Sequence, residues 1–215
     1  VVLVPIDPTK IPSQNAQAYF KRYSKSKTVL EKQTEFRKET QEEIKYLESL
    51  AEHLSMCSNE ADLSEIREEL VRGGYLRRDS GKGKPKQRMV SMPHHYLSSD
   101  GFEIFVGKNN LQNDHLTLKT AGSSDLWLHT KGIPGSHVIV RTLGRPVPEA
   151  TLEEAANLAV YYSKGSSSAN VPVDYCPRKN VKKPGGAKPG MVIYEQYKTI
   201  YITPSEEKVQ RMKKL

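Results

Sequence analysis

Cysteine is scarce in this chain, and the scarcity narrows the reading at once. Cys57 and Cys176 are the only two, far apart and outside any CxxC or CxxH spacing, so neither a zinc site nor a disulfide framework is suggested and a reducing environment is expected. No apolar run approaches the roughly 20 residues that span a bilayer. The opening VVLVPI lacks the basic leader and the length of a signal peptide, and its abruptness suggests a piece of a longer protein. GxSxG is absent, and GKGKPK imitates a phosphate-binding loop only superficially, because GxxxxGK[ST] is missing and no strand precedes it. Apolar residues make up only 36% of the 215 residues and mean hydropathy is −0.63, low for a single compact globule. A substantial part is therefore expected to be solvated helix, beside one ordinary core or two small domains.

Positive charge is plentiful. The formal net charge of +8 and pI near 9.3 favour polyanion partners, although net charge bears on association and not on fold. The charge concentrates from Pro177 to Gly190, where Arg178, Lys179, Lys182, Lys183 and Lys188 occur with no acid and enough Pro and Gly to exclude helix. Such a loop would present cations and free backbone N–H groups together, as a phosphate backbone requires. The partner this implies is nucleic acid.

The pattern along the chain predicts an α+β fold: a long coiled-coil-type helical arm, then a compact mixed domain. Residues 1–76 form the arm, 77–92 a flexible basic linker, and 93–215 the second domain. Ser13 is the expected N-cap of a helix running to about Met56, roughly 44 residues or about 66 Å long. Its heptad seam reads Ala16, Tyr19, Tyr23, Ser26, Leu30, Gln33, Arg37, Thr40, Ile44, Leu47, Ala51 and Leu54, apolar at both ends and polar in the middle. Either the helix folds onto the rest of the chain, or it projects and needs a second strand or water. A shorter helix carries Leu63, Ile66 and Leu70 and ends at Gly73-Gly74.

In the second domain, SSDG marks a hairpin between Tyr96-Leu97 and Phe102–Val106. Leu111, His115 and Leu118 suggest a helix over 108–120, and Asp125–His129, His137–Arg141 and VPVDYC suggest strands. Thr151 and Glu154 read as a capping box. Met191–Tyr194 and Thr199–Ile202 read as a closing hairpin, and Pro204 as the start of a last helix.

Asp125, Trp127 and His129 alternate, so a strand points all three to one face. That face could be catalytic, a metal site, a stacking platform for a base, or plain core in which Asp125 and His129 satisfy backbone groups. The ligand count is poor for metal, and Ser136 and His137 face opposite ways on a strand, which disfavours nucleophilic catalysis. Lys131 and Arg141, beside the Gly132–Gly135 turn, are candidate phosphate contacts, with Trp127, His129 and His137 shaping the adjacent pocket. Lys108 and Asn109 stand at a helix N-terminus, suited to phosphate or base edges, or in the case of Asn109 to simple capping. No catalytic, metal or cofactor site is assigned.

The strings DPTKIPSQNAQAYFKRYSKSK, IREELVRGGYL, NNLQND, DLWLHTKGIPGSHVIVR, TLEEAANLAVYYS, VPVDYCPRKNVKKPGGAKPGMVIY and KTIYITP resemble the NFACT family, also known as the fibronectin-binding protein A-like family. The resemblance covers nearly the whole chain. It implies a cytoplasmic ribosome quality-control factor, represented here by the second part of the coiled-coil arm and the RNA-binding domain called NFACT-R. Such a factor binds the large ribosomal subunit still holding peptidyl-tRNA and recruits alanyl-tRNA for untemplated C-terminal alanine tails. Peptide bonds form in the ribosome's own centre, so the chain is not expected to be an enzyme. The family's amino-terminal domain, which holds the aspartate and arginine for tRNA recruitment, lies outside the stretch matched. The older family name implies an alternative, a cell-surface adhesin for host fibronectin or fibrinogen.

Overall fold

Pro12 sets where the first helix begins. Its ring fixes a helical φ and lacks the N–H that a first helical residue leaves unpaired. A computed structural model describes residues 2–77 and 91–215; the remainder of the expected linker, 78–90, lies outside the described residues. Helix α1 runs Pro12–Ser55. The N–H groups of Gln14 and Asn15 reach the Ile11 carbonyl at 3.0 and 3.2 Å, so Ile11 occupies the cap and Ser13 lies inside the first turn. Asn15 ties down the approach, accepting from the Asp7 N–H at 2.8 Å and donating to the Asp7 carbonyl at 3.0 Å. Helix α2, Glu60–Arg72, is capped by the Asn59 side chain, and Gly74 supplies the left-handed turn after it at φ +80°.

The chain divides into two compact units, 1–45 and 46–215. In the first, Phe20, Tyr23, Leu30 and Phe36 are exposed. Thr28, Thr34 and Thr40 each donate to the carbonyl four residues back, which satisfies their hydroxyls within the helix.

The second unit begins with the end of α1. There the buried stripe is Tyr46, Leu50 and His53, while Ile44, Leu47 and Leu54 from the expected seam are exposed. The seam was one register out because the heptad pattern scored aliphatic residues, whereas the packed face uses an aromatic and a histidine. Tyr46 and Leu50 pack with Ile66 of α2.

The sheet follows. Strands β1 (His94–Leu97) and β2 (Glu103–Val106) form the hairpin expected at SSDG, with Gly101 at φ +77°. Helix α3, Asn110–His115, continues as a π-turn over Leu116–Thr120. Its buried residues are Asn110, Gln112, Asn113, Leu116 and Thr117, so the helix exists but turns a different face inward from the Leu111, His115 and Leu118 row. Strands β3 (Leu126–Thr130) and β4 (Val138–Val140) precede helix α4, Glu149–Tyr161. Pro148 stands at the N-cap of α4 with no side-chain bond, and no capping box forms. Thr151 is drawn to Asp100 at 2.7 Å, and Glu154 accepts from the Ser99 N–H at 3.0 Å, so both residues fasten the β1–β2 turn instead.

Strand β5, Val171–Pro177, is followed by β6 (Val181–Lys182), β7 (Ile193–Tyr194), β8 (Lys198–Ile202), helix α5 (Glu206–Arg211) and β9 (Lys213–Lys214). The expected hairpin between residues 191–194 and 199–202 does not form. Strand β7 pairs with β6 in a small ribbon, and β8 pairs antiparallel with β5. The main sheet has seven strands in the order β8-β5-β3-β4-β2-β1-β9. Together with the long helix this is an α+β fold.

Strand alternation gives the sheet two different faces. One carries Ile104, Val106, Leu128, Val138, Val140, Val171 and Val173 against Ala155, Ala156, Leu158, Ala159 and Val160 of α4, forming the main core. Each fully buried aliphatic side chain there contributes about 1.5–3 kcal/mol. The other face carries Phe105, Trp127, Ile139 and Cys176, roofed by Leu116, Val181, Val192 and Tyr194. That roof does not extend over the β8 edge.

Candidate nucleic-acid interface

The roofed face holds the residues that the sequence singled out, and it separates buried from exposed ones. Trp127 is 0% exposed, so it offers no surface to a base, and the platform expected on it does not exist at that position. The indole fills the core instead, 4.7 Å from the Tyr194 ring centre and edge-on to His137 at 5.2 Å. Asp125 accepts from the backbone N–H groups of Gly122 (2.8 Å) and Thr142 (2.9 Å), a purely structural duty.

Three histidines meet beneath α1. His137 is buried with Nδ1 2.8 Å from Thr117 Oγ1, half-buried His129 lies edge-on to it at 5.4 Å, and His53 closes the group from α1. Burial disfavours their charged forms and each like neighbour adds to the effect. His53 is pushed down to about 4, His129 is lowered and His137 lies well below the ordinary imidazole range. These rings are neutral packing groups at physiological pH. Among the described residues no three His, Cys, Asp or Glu side chains converge to hold a metal ion.

The NNLQND segment is a docking motif. Asn109 caps α3 by accepting from the Gln112 N–H at 2.8 Å, and its amide donates to Glu65 of α2 at 2.6 Å. Asn110 donates to Ser49 at 2.9 Å and to Glu69 at 3.1 Å. Gln112 donates to Glu65 at 2.8 Å and to the Ser91 carbonyl at 3.0 Å. Lys108 pairs with Asp62 at 3.3 Å and sits 3.2 Å from Ser91 Oγ. Burial raises the Asp62 carboxyl, but bonds from Ser91 and Ser58 and the charge of Lys108 outweigh it, and its pKa is lowered. The structure therefore turns Lys108 and Asn109 inward, toward α2.

The basic loop is divided in the same way. Arg178 donates to the carbonyls of Thr117 and of Leu118, the latter at 3.1 Å, satisfying the end of the π-turn. Lys183 pairs with Asp114, which also accepts from the Gly190 N–H at 3.1 Å. Lys188 lies 4.8 Å over the Tyr46 ring and 5.2 Å over Tyr75, and donates to the Tyr75 hydroxyl. The loop expected to present five cations thus spends three of them on its own anchoring. Lys179 and Lys182 remain exposed to solvent. Arg141, at the far side of the sheet, pairs with Glu103 at 3.2 Å and lies 4.9 Å over Phe105.

Lys131 stands where the roof stops. Its side chain is 46% exposed, 3.5 Å from buried Asp174 and 4.9 Å over the Tyr197 ring. Desolvation opposes its charge, but Asp174 and the Tyr197 phenol prevail and its pKa is raised. Asp174 also accepts from the hydroxyls of Tyr194 (2.9 Å) and Thr199 (2.6 Å), so one carboxylate joins the ribbon, β8 and Lys131. Because Thr199 stands opposite Asp174 and Tyr201 opposite Pro172, Thr199 and Tyr201 share this face. The alternation Thr199-Tyr201 is readable in KTIYITP, with Tyr197 just before it, but pairing β8 with β7 conceals which face it joins.

A long helix leading into a seven-stranded antiparallel sheet with a lysine- and tyrosine-bearing edge defines a helix-armed α+β module with a basic face. Residues 92–196 match the family model described as the NFACT protein RNA binding domain, and residues 1–89 match that of the NFACT N-terminal and middle domains. The chain is 47% identical to a protein named Rqc2 homolog RqcH from Bacillus subtilis, over 99% of this chain and 37% of that protein. It is 44% identical to the protein of the same name from Streptococcus suis, over 98% of this chain and 37% of that protein. A solved structure of the C-terminal part of the fibronectin/fibrinogen-binding protein from Streptococcus suis superposes with a TM-score of 0.85 at 44% identity, covering 96% of this chain and 81% of that one. The chain belongs to the NFACT family. It spans little more than a third of the length of the curated relatives it matches.

Proposed function

We propose that the chain is the RNA-gripping part of a ribosome quality-control factor. In this reading the factor acts in the cytoplasm, binds the large ribosomal subunit that still holds peptidyl-tRNA, and recruits alanyl-tRNA for untemplated alanine tailing of the stalled chain. Peptide bonds form in the ribosome, and no chemical step is assigned to this chain. The observation that carries the reading is a coincidence in sequence: the segment matched by the RNA-binding family model is the one that leaves Lys131, Lys179 and Lys182 exposed. Solvent-facing cations suit a phosphate backbone.

The test is co-sedimentation of the chain with purified large subunits, with and without peptidyl-tRNA. Binding retained by the wild type and weakened by Lys179→Glu/Lys182→Glu supports the reading; equal binding by both proteins contradicts it. A second reading, adhesion to host fibronectin or fibrinogen, is favoured by the name of the similar Streptococcus suis protein. Capture of fibronectin that survives nuclease and moderate salt would support that one.

A further inference from the structure

The sheet face that carries Trp127 changes character toward β8. Over β3 and β4 it is roofed and dry, with Trp127 and Ile139 closed off. At the β8 edge, Tyr201 is 63% exposed and Tyr197, the residue just before the strand, is 43% exposed. Neither ring is needed to close a core, since the buried clusters of the sheet are completed by Ile200 and Ile202 on one face and by Tyr194 on the other.

The rings are nonetheless held in position. Tyr197 packs edge-on against Tyr194 at 5.1 Å, and Tyr194 in turn rests on Trp127 at 4.7 Å. Gln196, just before it, sits at φ +52°, a left-handed conformation that is costly for a residue with a Cβ and that persists only when its surroundings impose it. Lys131, at the end of β3 and one strand beyond β5, lies over Tyr197 and is paired with Asp174. Lys182 is on the ribbon that leads directly into this turn. Exposed aromatic rings on one side of a sheet edge, bordered by a lysine, are an arrangement on which unpaired bases stack while their phosphates meet the cation. A duplex cannot use it, because its bases are already stacked on one another.

We infer that the β8 edge is a site for unpaired nucleotides of RNA, with Tyr201 and Tyr197 as stacking surfaces and Lys131 as the neighbouring phosphate contact. The inference rests on the RNA-binding reading and gives it a specific ligand form. Stacking is sequence-tolerant, so the site selects strand state ahead of base identity.

The test compares a labelled single strand of roughly a dozen uridines with a duplex of equal length, both titrated with the 215-residue chain at one salt concentration. Tyr197→Ala/Tyr201→Ala, which removes both rings, should weaken single-strand binding by about thirtyfold or more and leave duplex binding unchanged. Tyr197→Phe/Tyr201→Phe, which keeps both rings, should bind the single strand like the wild type. If the alanine variant binds the single strand as tightly as the wild type while Lys179→Glu/Lys182→Glu binds it more weakly, the stacking site is wrong and the RNA-binding reading stands. If the wild type binds neither RNA, both fall. Thermal unfolding of each variant shows whether a loss reflects folding, and a loss in the alanine variant accompanied by unfolding counts only if Tyr201→Ala alone, at the more exposed position, reproduces it in a folded protein.

Discussion

Lys182 and Lys183 are adjacent in sequence and have opposite duties. Lys183 is paired with Asp114, 69 positions away in the chain, and helps hold the loop on α3; Lys182 faces water from the β6–β7 ribbon. Replacing Lys183 by Met should therefore destabilise the fold, and replacing Lys182 by Met should leave stability within about 0.5 kcal/mol. The glycines of the loop can be separated in the same manner. Gly186 and Gly190 both have left-handed φ, +75° and +77°, but a Cβ at 186 meets open space whereas one at 190 collides with the Asn110 side chain. Gly186→Ala should cost about 1–2 kcal/mol from backbone strain alone. Gly190→Ala should cost about 1–3 kcal/mol more from overpacking. Urea unfolding midpoints decide it, and equal midpoints would show that the loop is not docked as described. The basic run itself was legible in the sequence. Which of its lysines stay free was not, since the partners Asp114, Tyr46 and Tyr75 are brought there only by the tertiary fold.

At the scale of elements, the joint where the end of α1 and α2 meet the sheet is built from polar and aromatic groups. The sequence located α1, α2, the first hairpin, α4 and β5 from periodicity and turn chemistry. It misassigned inward faces in α1 and α3 because both bury unusual residues: histidine in one, asparagine and glutamine in the other. The amides pack because Glu65, Glu69 and Ser49 accept from them, information that resides on a different element. The same joint makes stability depend on pH. His53 and His137 are neutral in the fold with pKa values below the unfolded value of about 6.5, as are His129 and His94. As pH falls through about 6.5 the unfolded chain takes up protons that the fold refuses, so stability falls by about 1.4 kcal/mol per pH unit for each such histidine. Above that range they contribute no slope. Glu69 and Glu52, both raised by burial, act in the opposite sense, two groups against four. Thermal unfolding between about pH 7.5 and pH 5 should show a clear fall in midpoint on the acid side, reduced by His53→Gln. A flat profile would contradict the buried, neutral cluster.

For the whole molecule, one polarised sheet explains both the stability and the proposed binding. One face buries an aliphatic core under α4. The other is sealed around Trp127, and at its β8 end Lys131, Tyr197 and Tyr201 are exposed near the turn that follows the ribbon carrying Lys182. The sequence places the stacking platform on a tryptophan that the fold buries, because a tryptophan between an acid and a histidine looks the same on a closed face as on an open one. The measurement that tests the central claim most directly is RNA affinity as a function of salt, for the wild type and for Lys179→Glu/Lys182→Glu. Each phosphate contact contributes about 0.7–0.9 to the slope of log affinity against log salt, so losing both lysines should flatten the slope by about 1.5 along with the loss of affinity. An unchanged slope and affinity would mean that these cations face solvent without gripping RNA.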